Sequence, residues 1–352
     1  MENQDILFKE LQGKNGKIGL VTLNRQKALN AITHEMFKLL GEKLKKWQID
    51  SNIKAVVVTA AEGRAFCAGG DVRKVYQKKI SSDPEIESYF HDEYEINRLI
   101  HHYSKPYIAF LDGITMGGGA GISIHGSHRV ATENMVFAMP ETTIGFFPDV
   151  GASYFLSRLP YNMGRYLGLL GATIKFSDAY ELGLIDYVVS SEKINEIINA
   201  LKETELKDHN AVSQILEKFH KPAVKSELLQ HKELIESSFS HGTVEEIIKS
   251  LESSNEFGKK AAEIIKTKSP TSLKVALREI IAAESMSFDD CMDVEYKIMQ
   301  QCLKSPDFFE GVRALLVDKD KDPKWQPASL SEVSESLVAK FFLHKNNAHS
   351  VT

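Results

Sequence analysis

The first fifty residues show two different spacings of apolar side chains, and each spacing predicts a different element. Residues 5–11 and 17–23 read as short strands, and Asn15-Gly16 between them suits a tight hairpin turn. From Thr33 to Ile49 apolar residues recur every three or four positions, which predicts a helix capped by Thr33 with one face in the core. That face carries Met36, Phe37, Leu40, Leu44 and Trp47.

Farther along the chain, continuous apolar runs alternate with helical spacing. AVVVTA at 55–60 and PYIAFLDG at 106–113 are typical of strands buried on both faces of a sheet, with a long helix predicted at about 84–102. Through about residue 190, strands end in Gly- or Pro-containing turns followed by helices, the rhythm of a ββα superhelix. After Val189 only helices are predicted, at roughly 193–203, 208–219, 226–238, 243–267, 270–284, 287–303 and 306–317.

This change of pattern predicts an α/β chain in two parts. Residues 1–200 would form the spiral core, and residues 201–352 a helical C-terminal region. No Pro-, Gly- or Ser-rich linker lies at the junction. We therefore expect the helical region to pack onto the core and to complete its pocket.

Charge and composition narrow the function classes. The 352 residues carry a formal net charge of -5 over segments of mixed sign, which argues against general nucleic-acid binding. The three cysteines, at positions 67, 291 and 302, match neither a disulfide framework nor a zinc site. No stretch predicts a membrane span, and the opening MENQDILFKE is acidic where a mitochondrial transit peptide is Arg-rich. We expect a cytoplasmic protein, or a mitochondrial matrix protein if the sequence is a processed eukaryotic form.

Two glycine-rich segments, RAFCAGGD at 64–71 and GITMGGGAG at 113–121, each follow a buried strand and are expected to open a helix. Both can present bare backbone amides. Preorganised N–H donors aimed at charge developing on a carbonyl oxygen contribute about 3–4 kcal/mol each. At a helix N-terminus Gly118 could also act through the helix field. Either segment alone fits a tight strand-to-helix turn equally well, but the two together favour a two-amide oxyanion hole.

The next segment, FAMPETTIGFFPDVG at 137–151, holds two carboxylates in apolar surroundings, Glu141 and Asp149. Burial raises the pKa of a carboxyl, and a second carboxylate nearby raises the pKa of one member further, which suits a base or a nucleophile paired with a proton carrier. The structural alternative is that Glu141 caps a turn and that Asp149 starts a helix at Val150. The chemical interpretation is the stronger of the two.

Taken in order and spacing, AFCAGGD, GITMGGGAG and AMPETTIGFFPDVGASYFL resemble the crotonase (enoyl-CoA hydratase/isomerase) superfamily, most closely its 3-hydroxyisobutyryl-CoA hydrolase branch. The similarity runs from about Ile18 through Val189 and continues more weakly at 308–325. It implies the crotonase ββα fold and an acyl-CoA substrate used in valine catabolism. It also implies roles for individual residues: Gly70 and Gly118 as oxyanion-hole amides, Glu141 as the catalytic carboxylate, Asp149 as its partner, and 25–30 with Ala68 along the CoA path.

One departure from the hydratases bears on the reaction. Enoyl-CoA hydratases carry a second glutamate just after the triple glycine, where this chain has Gly121, so hydration of an alkene is disfavoured and thioester hydrolysis favoured. Glu93, in the predicted helix 84–102, matches a substrate-contacting position of the hydrolases and could accept a hydrogen bond from an acyl hydroxyl. An exposed helix-face charge explains Glu93 equally well. An enoyl-CoA hydratase or isomerase and a non-catalytic acyl-CoA-binding protein stay open as alternatives.

Several remaining features have weaker functional interpretations. Arg25 and Lys27, just before Ala28, could meet CoA phosphates or be ordinary surface charges. Cys67 lacks a nearby His that would activate it, and the His101-His102 and His125/His128 pairs lack the ligands that complete a metal site, so helix-surface histidines are expected.

A dinucleotide-binding loop and a calcium loop also fit poorly. The triple glycine lies too far along the chain to be the first βα turn of a nucleotide-binding unit. In the charge run 318–322, Pro323 stands where a calcium loop needs Gly. We expect no metal and no cofactor beyond the CoA of the substrate, and no nucleic-acid or membrane partner. The chain could form a homo-oligomer.

Overall fold

A computed structural model describes residues 5–80, 85–221 and 225–343. The first four residues of the acidic opening and residue 84, at the start of the predicted long helix, lie outside the described residues. None of the helices in the described ranges has the length and apolar character of a membrane-spanning segment.

In the described part of the chain, ten strands form two sheets. The six-stranded sheet has the order β1-β2-β3-β5-β7-β10 and is parallel except for the β1–β2 hairpin. The four-stranded sheet has the order β4-β6-β8-β9 and is parallel except for β8–β9. The strands are β1 (Ile6–Gln12), β2 (Lys17–Leu23), β3 (Ile53–Ala60), β4 (Ala65–Cys67), β5 (Tyr107–Leu111), β6 (Ile114–Met116), β7 (His128–Thr132), β8 (Val136–Ala138), β9 (Ile174–Lys175) and β10 (Tyr187–Val189).

The helices are of very different lengths, and those after residue 190 follow one another without a strand in the described part of the chain. They are α1 (His34–Ile49), α2 (Val72–Ile80), α3 (Ile86–His101), α4 (Gly118–Gly121), α5 (Ala152–Leu156), α6 (Met163–Leu170), α7 (Phe176–Glu181), α8 (Ile194–Glu203), α9 (His209–Phe219), α10 (Lys232–Ser238), α11 (Val244–Glu252), α12 (Glu256–Lys266), α13 (Pro270–Ala283), α14 (Phe288–Cys302), α15 (Pro306–Val312) and α16 (Glu335–Ala339). A π-helical turn, Arg313–Val317, extends α15.

Most local predictions are confirmed, and the reasons are visible. The Thr33 side chain accepts a hydrogen bond from the Met36 N–H and caps α1, whose predicted apolar stripe is buried. The hairpin loop spans residues 13–16, and Gly16 has a positive φ of 152°. The prediction of a single helix at 243–267 is wrong, because α11 ends before α12 begins. The Asn255 side chain caps the second helix by accepting a hydrogen bond from the Gly258 N–H.

The six-stranded sheet is covered on both faces, as the apolar runs predicted. Along β3, Val56 and Val58 pack into the larger core with α1 and α3, whereas Ala55 and Val57 face the other way. That second face forms a smaller core with side chains from α8 and α9. Burial on both faces is the reason that β3 lacks the alternation of a half-exposed strand. The division into parts at residue 200 stays a prediction.

The four-stranded sheet brings the glycine segments together. Ala65 of β4 lies beside Ile114 of β6, and β6 runs parallel to β8. The carboxyl ends of neighbouring parallel strands lie at one edge of a sheet. The turns that follow β4, β6 and β8 carry Gly70, Gly118 and Glu141, so three separate segments meet at one place.

The helices of the C-terminal region close over this edge. α14 packs against α3 and α5, α13 packs against α5 and α6, and α15 packs against the 3-10 turn Glu141–Ile144. Through these contacts Phe308, Leu315 and Leu316 reach the cavity described below. The expectation that the helical region completes the pocket is consistent with these positions.

Candidate active site

A cavity of about 740 Å³ opens at the edge of the four-stranded sheet. Phe90, Phe146 and Phe308 form an aromatic cluster on its wall, with the rings of Phe90 and Phe146 stacked at 5.6 Å between centroids. The residues predicted from sequence that line it are Arg25, Lys27, Ala28, Ala68, Gly70, Glu93, Gly118, Glu141 and Asp149. An apolar wall with a few convergent polar groups is typical of a small-molecule site.

Two glycines that line this cavity have backbone N–H groups with no partner among the described residues. Within the described part of the chain, no hydrogen bond uses the N–H of Gly70 or of Gly118. The two residues are close, because a methyl group placed on Gly118 would lie 3.1 Å from the Gly70 nitrogen. Two amides this close could both donate to one oxygen, and their role as an oxyanion hole stays a prediction. The helix field expected at Gly118 is small, because α4 is only four residues long.

Glu141 begins a 3-10 turn directly after β8 and points into the cavity. It is 6% exposed, and its Oε2 has no hydrogen-bond partner among the described residues. Burial, and then the nearby Asp149 carboxyl, raise the pKa of Glu141 well above its usual value. The ionised carboxylate is therefore a strong proton acceptor.

Asp149 lies between the 3-10 turn of Glu141 and the start of α5, and it is 5% exposed. The Tyr94 hydroxyl, from α3, donates a hydrogen bond of 2.9 Å to Asp149 Oδ2. Burial raises the pKa of Asp149 to about 7, although the bond from Tyr94 favours the ionised form. Asp149 does not start a helix at Val150, because Val150 has a φ of 58° and α5 begins at Ala152.

Glu93 is not an exposed charge on a helix face, so that alternative is wrong. Its side chain is 3% exposed and lines the cavity with Gly70 and Gly118. A methyl group placed on Gly118 would lie 2.5 Å from Glu93 Oε1. Burial, and then the carboxyls of Asp149 and Glu141, raise the pKa of Glu93 well above its usual value. The cavity thus contains three mutually interacting carboxyls.

A side chain at Gly121, where the hydratases have their second glutamate, would be crowded. A methyl group at Gly121 would lie 2.7 Å from Asn97 Nδ2 and 2.8 Å from Val150 Cβ. Both neighbours are buried. The absence of a side chain at Gly121 is what allows the loop that bears Asp149 to approach α4.

The two cations predicted along the CoA path, Arg25 and Lys27, have different surroundings. Arg25 lines the cavity, but its guanidinium is bound to the Asp71 carboxylate at 2.8 Å and to the Ala31 carbonyl at 2.9 Å. Lys27 is exposed at the cavity rim. Lys27 is therefore the better placed of the two to meet a phosphate, whereas the guanidinium of Arg25 links Asp71 to the Ala31 carbonyl at the rim.

The other polar features lie outside the cavity. Burial raises the pKa of Cys67 to about 12, which disfavours the thiolate that a nucleophile needs. The expectation of surface histidines is wrong for His125 and His128, which are buried. Arg313 binds Asp318 and Asp320 in the charge run. Within the described residues, no group of three His, Cys, Asp or Glu side chains has the arrangement of a metal site.

Sequence reasoning missed Tyr94 and Glu295, which contact Asp149 or its loop from distant helices. Glu295 accepts hydrogen bonds from the backbone of Gly151 and Ser153. One signal was present, because Glu295 stands on the apolar stripe of α14 with Met292, Ile298 and Met299. A carboxylate on a core-facing stripe is costly unless it has a partner.

Comparison with known proteins identifies the family. A family model described as enoyl-CoA hydratase/isomerase (ECH_2) matches residues 18–342. The chain belongs to this family. The crotonase-like fold predicted from sequence is confirmed by this match and by the solved structures below.

Curated relatives cover nearly the whole chain. A Danio rerio protein named "3-hydroxyisobutyryl-CoA hydrolase, mitochondrial" is 43% identical over 344 residues, covering 96% of this chain and 89% of the relative. A Homo sapiens protein of the same name is 41% identical over 347 residues, covering 97% and 90%. The resemblance to this branch is thereby confirmed.

Two solved structures share the complete fold. A carnitinyl-CoA dehydratase from Mycobacterium thermoresistibile has a TM-score of 0.90 and 37% identity, covering 98% of each chain. An enoyl-CoA hydratase from Rhodobacter sphaeroides has a TM-score of 0.87 and 31% identity, covering 96% of this chain and 97% of that one. The helical C-terminal region is therefore part of a fold that these proteins have in common.

Proposed function

We propose that this chain hydrolyses 3-hydroxyisobutyryl-CoA to 3-hydroxyisobutyrate and CoA, a step of valine degradation. The single observation that carries the proposal is the cavity in which two unpartnered amides lie beside buried Glu141 and Asp149. The names of the curated relatives support the same substrate. The chain would thus be an acyl-CoA thioester hydrolase.

In the proposed mechanism the N–H groups of Gly70 and Gly118 donate to the thioester carbonyl oxygen. They stabilise the negative charge that this oxygen gains when the carbonyl carbon is attacked. Glu141 either attacks that carbon to form a mixed anhydride or takes a proton from the attacking water. In both routes the carbon–sulfur bond breaks and the CoA thiolate leaves, acquiring a proton. Water supplies the new carboxylate oxygen of the product, in the first route by cleaving the anhydride.

Asp149 and Glu93 would orient the rest of the acyl group. Both carboxyls line the cavity close to Glu141, and because burial raises their pKa values, their ionised forms accept a hydroxyl hydrogen strongly. We assign Glu93 to the 3-hydroxyl and Asp149 to the hydroxyl or the attacking water and its proton. A hydroxyacyl chain offers these carboxyls an O–H donor, which a plain acyl chain lacks.

The titles of the two similar structures favour a second candidate, an enoyl-CoA hydratase or a related dehydratase. Addition of water to a double bond needs two carboxylates straddling one water. The space in front of Gly121 is filled by Asn97 and Val150. We therefore rank hydration, isomerisation and non-catalytic acyl-CoA binding below hydrolysis.

The remaining expectations belong to the same proposal. The reaction would require no cofactor beyond the CoA of its substrate, and the chain could assemble as a homo-oligomer. The curated relatives are named as mitochondrial. For this chain we propose the cytoplasm, or the mitochondrial matrix if it is a processed eukaryotic form.

The test is release of free thiol from 3-hydroxyisobutyryl-CoA, 3-hydroxypropionyl-CoA and crotonyl-CoA, followed with a thiol-reactive dye. We expect release from the two hydroxyacyl substrates and a loss of at least about 100-fold in kcat in Glu141→Gln. The matched control is Glu279→Gln, because Glu279 is 2% exposed in α13 but does not line the cavity.

Three outcomes would contradict the proposal. Near-normal turnover in Glu141→Gln would show that Glu141 is not the catalytic carboxylate. Hydration of crotonyl-CoA without thiol release would favour the hydratase. Tight CoA binding with no turnover of any substrate would favour a binding protein.

A further inference from the structure

The loop that carries Asp149 has an unfavourable backbone. Val150 has a φ of 58° and Gly151 has a φ of 79°, both in the left-handed region. A β-branched residue rarely adopts this conformation, so the surrounding structure must hold Val150 in place. Small relaxation of the loop would move the neighbouring Asp149 carboxyl.

Glu295, from α14, binds this loop from one side. Its Oε2 accepts a hydrogen bond of 2.6 Å from the Gly151 N–H, and its Oε1 accepts from the Ser153 N–H at 3.1 Å and from the Ser153 hydroxyl at 2.6 Å. The side chain is fully buried. These bonds satisfy the free N–H groups at the start of α5, so a residue 142 positions away in sequence caps this helix.

His125 fixes the same loop from the other side. Burial lowers the pKa of His125 to about 4, so its ring is neutral, and its Nε2–H donates a hydrogen bond of 2.7 Å to the Val150 carbonyl. The ring of Phe288, at the start of α14, packs on His125 at 4.8 Å between centroids. The loop is therefore held at its carbonyl by one buried group and at its amides by another.

We propose that Glu295 is a positioning residue for the reaction, which sets the place of Asp149 by clamping the strained loop 149–153 to the helical C-terminal region. The inference rests on the proposed function, in which Asp149 orients the acyl hydroxyl or the water. Glu295 does not line the cavity, so it acts through the loop and not on the substrate.

Three donors converge on the two oxygens of Glu295 and favour its carboxylate form, although burial raises its pKa to about 8. The amide of a glutamine has the same shape but would turn an NH₂ group toward one of these N–H donors. Glu295→Gln therefore loses at least one bond while keeping the volume of the buried side chain. A misplacement of about 1 Å at a reacting group costs roughly 100-fold in rate.

The experiment is a double-mutant cycle of Glu295→Gln and Asp149→Asn, measured by single-turnover thiol release from 3-hydroxyisobutyryl-CoA. We expect Glu295→Gln to lower the wild-type rate by about 10- to 100-fold with KM within about 3-fold. In the Asp149→Asn background its further effect should be under about 3-fold, because residues acting through one another are not additive. An equal loss in both backgrounds would overturn the inference.

Glu279→Gln is the matched control, because it makes the same change at a buried glutamate of the helical region. The carboxyl of Glu279 interacts with those of Glu295 and Asp149 but makes no hydrogen bond to the loop within the described residues, so this control separates the loss of a neighbouring carboxyl from the loss of the bonds to the loop. Hydrogen exchange supplies a readout that needs no substrate: Glu295→Gln should accelerate exchange at Gly151 and Ser153, and Glu279→Gln should not.

The two proposals can fail separately. If the wild-type chain releases no thiol, the proposed function fails, and exchange at the loop still tests the clamp. If the wild type is active and Glu295→Gln retains its rate within about 3-fold, or if Glu279→Gln loses as much, the positioning role fails.

Discussion

Substitution at Gly121 tests the packing that separates this site from a hydratase. In Gly121→Ala the added methyl would lie 2.7 Å from Asn97 Nδ2 and 2.8 Å from Val150 Cβ. The Asn97 amide is buried but makes no hydrogen bond among the described residues, so it can turn, whereas Val150 Cβ is fixed to the strained backbone. Overpacking of this kind costs about 1–3 kcal/mol.

The control for this substitution is Gly242→Ala, since nothing lies within 4 Å of a methyl at Gly242. Both changes reduce the entropy of the unfolded chain to a similar degree, so their difference isolates the clash. We expect Gly121→Ala to be less stable than Gly242→Ala by about 1–3 kcal/mol in urea unfolding. Its kcat should fall by about 10- to 100-fold, because Val150 adjoins Asp149.

Gly121→Glu extends the test to the reaction itself. The glutamate side chain would begin against the same two neighbours, and burial of its carboxyl would add a cost of about 2 kcal/mol or more. We expect a poorly stable protein with no hydration of crotonyl-CoA. The reasoning is refuted if Gly121→Ala is as stable as Gly242→Ala, or if Gly121→Glu gains hydratase activity.

Three further predictions concern the site and its rim. Since burial raises the folded-state pKa of Asp149 from 3.8 to about 7, ionising it destabilises the fold between about pH 4 and 7. Asp149→Asn should therefore gain about 2–4 kcal/mol of stability over wild type at pH 8, and nothing at pH 3, by urea unfolding. Tyr94→Phe should lower kcat about 10-fold and shift the acid limb of its pH profile upward, because the lost hydrogen bond favours the Asp149 carboxylate. Lys27→Ala should raise the KM for the thioester about 3- to 10-fold, and the increase should be smaller at high salt. Arg25→Ala should chiefly lower the free energy of unfolding, by about 1–3 kcal/mol, because the ion pair with Asp71 is lost. If any of these four variants leaves its stability, kcat or KM unchanged where a change is expected, the role given to that residue is contradicted.

Much of the fold could be predicted because local physics decides it. The cap at Thr33, the buried β3 run and the helical spacing after residue 190 depend on neighbours within a few positions. The errors have local causes too. The apolar spacing predicts one helix through 253–255, but Asn255 caps a new helix there.

The site was predictable in its parts but not in its assembly. The types of residue and their glycine turns gave Gly70, Gly118, Glu141 and Asp149 as candidates, and the structure brings all four to one cavity. Glu93 stayed ambiguous, because sequence cannot tell a buried helix face from an exposed one at a charged position. The roles of all these residues stay predictions until the variants are measured.

The sequence by itself determined which segments form strands and helices, and which backbone and carboxyl groups were present for chemistry, because side-chain period and backbone preference act over a few residues. Only the tertiary structure decided which carboxyls meet, that Arg25 is held by Asp71, and that Asn97 fills the space at Gly121. It alone joined Glu295 to a loop 142 positions away. Such contacts depend on how whole elements pack, and burial there raises the pKa of a carboxyl that would be ordinary in water.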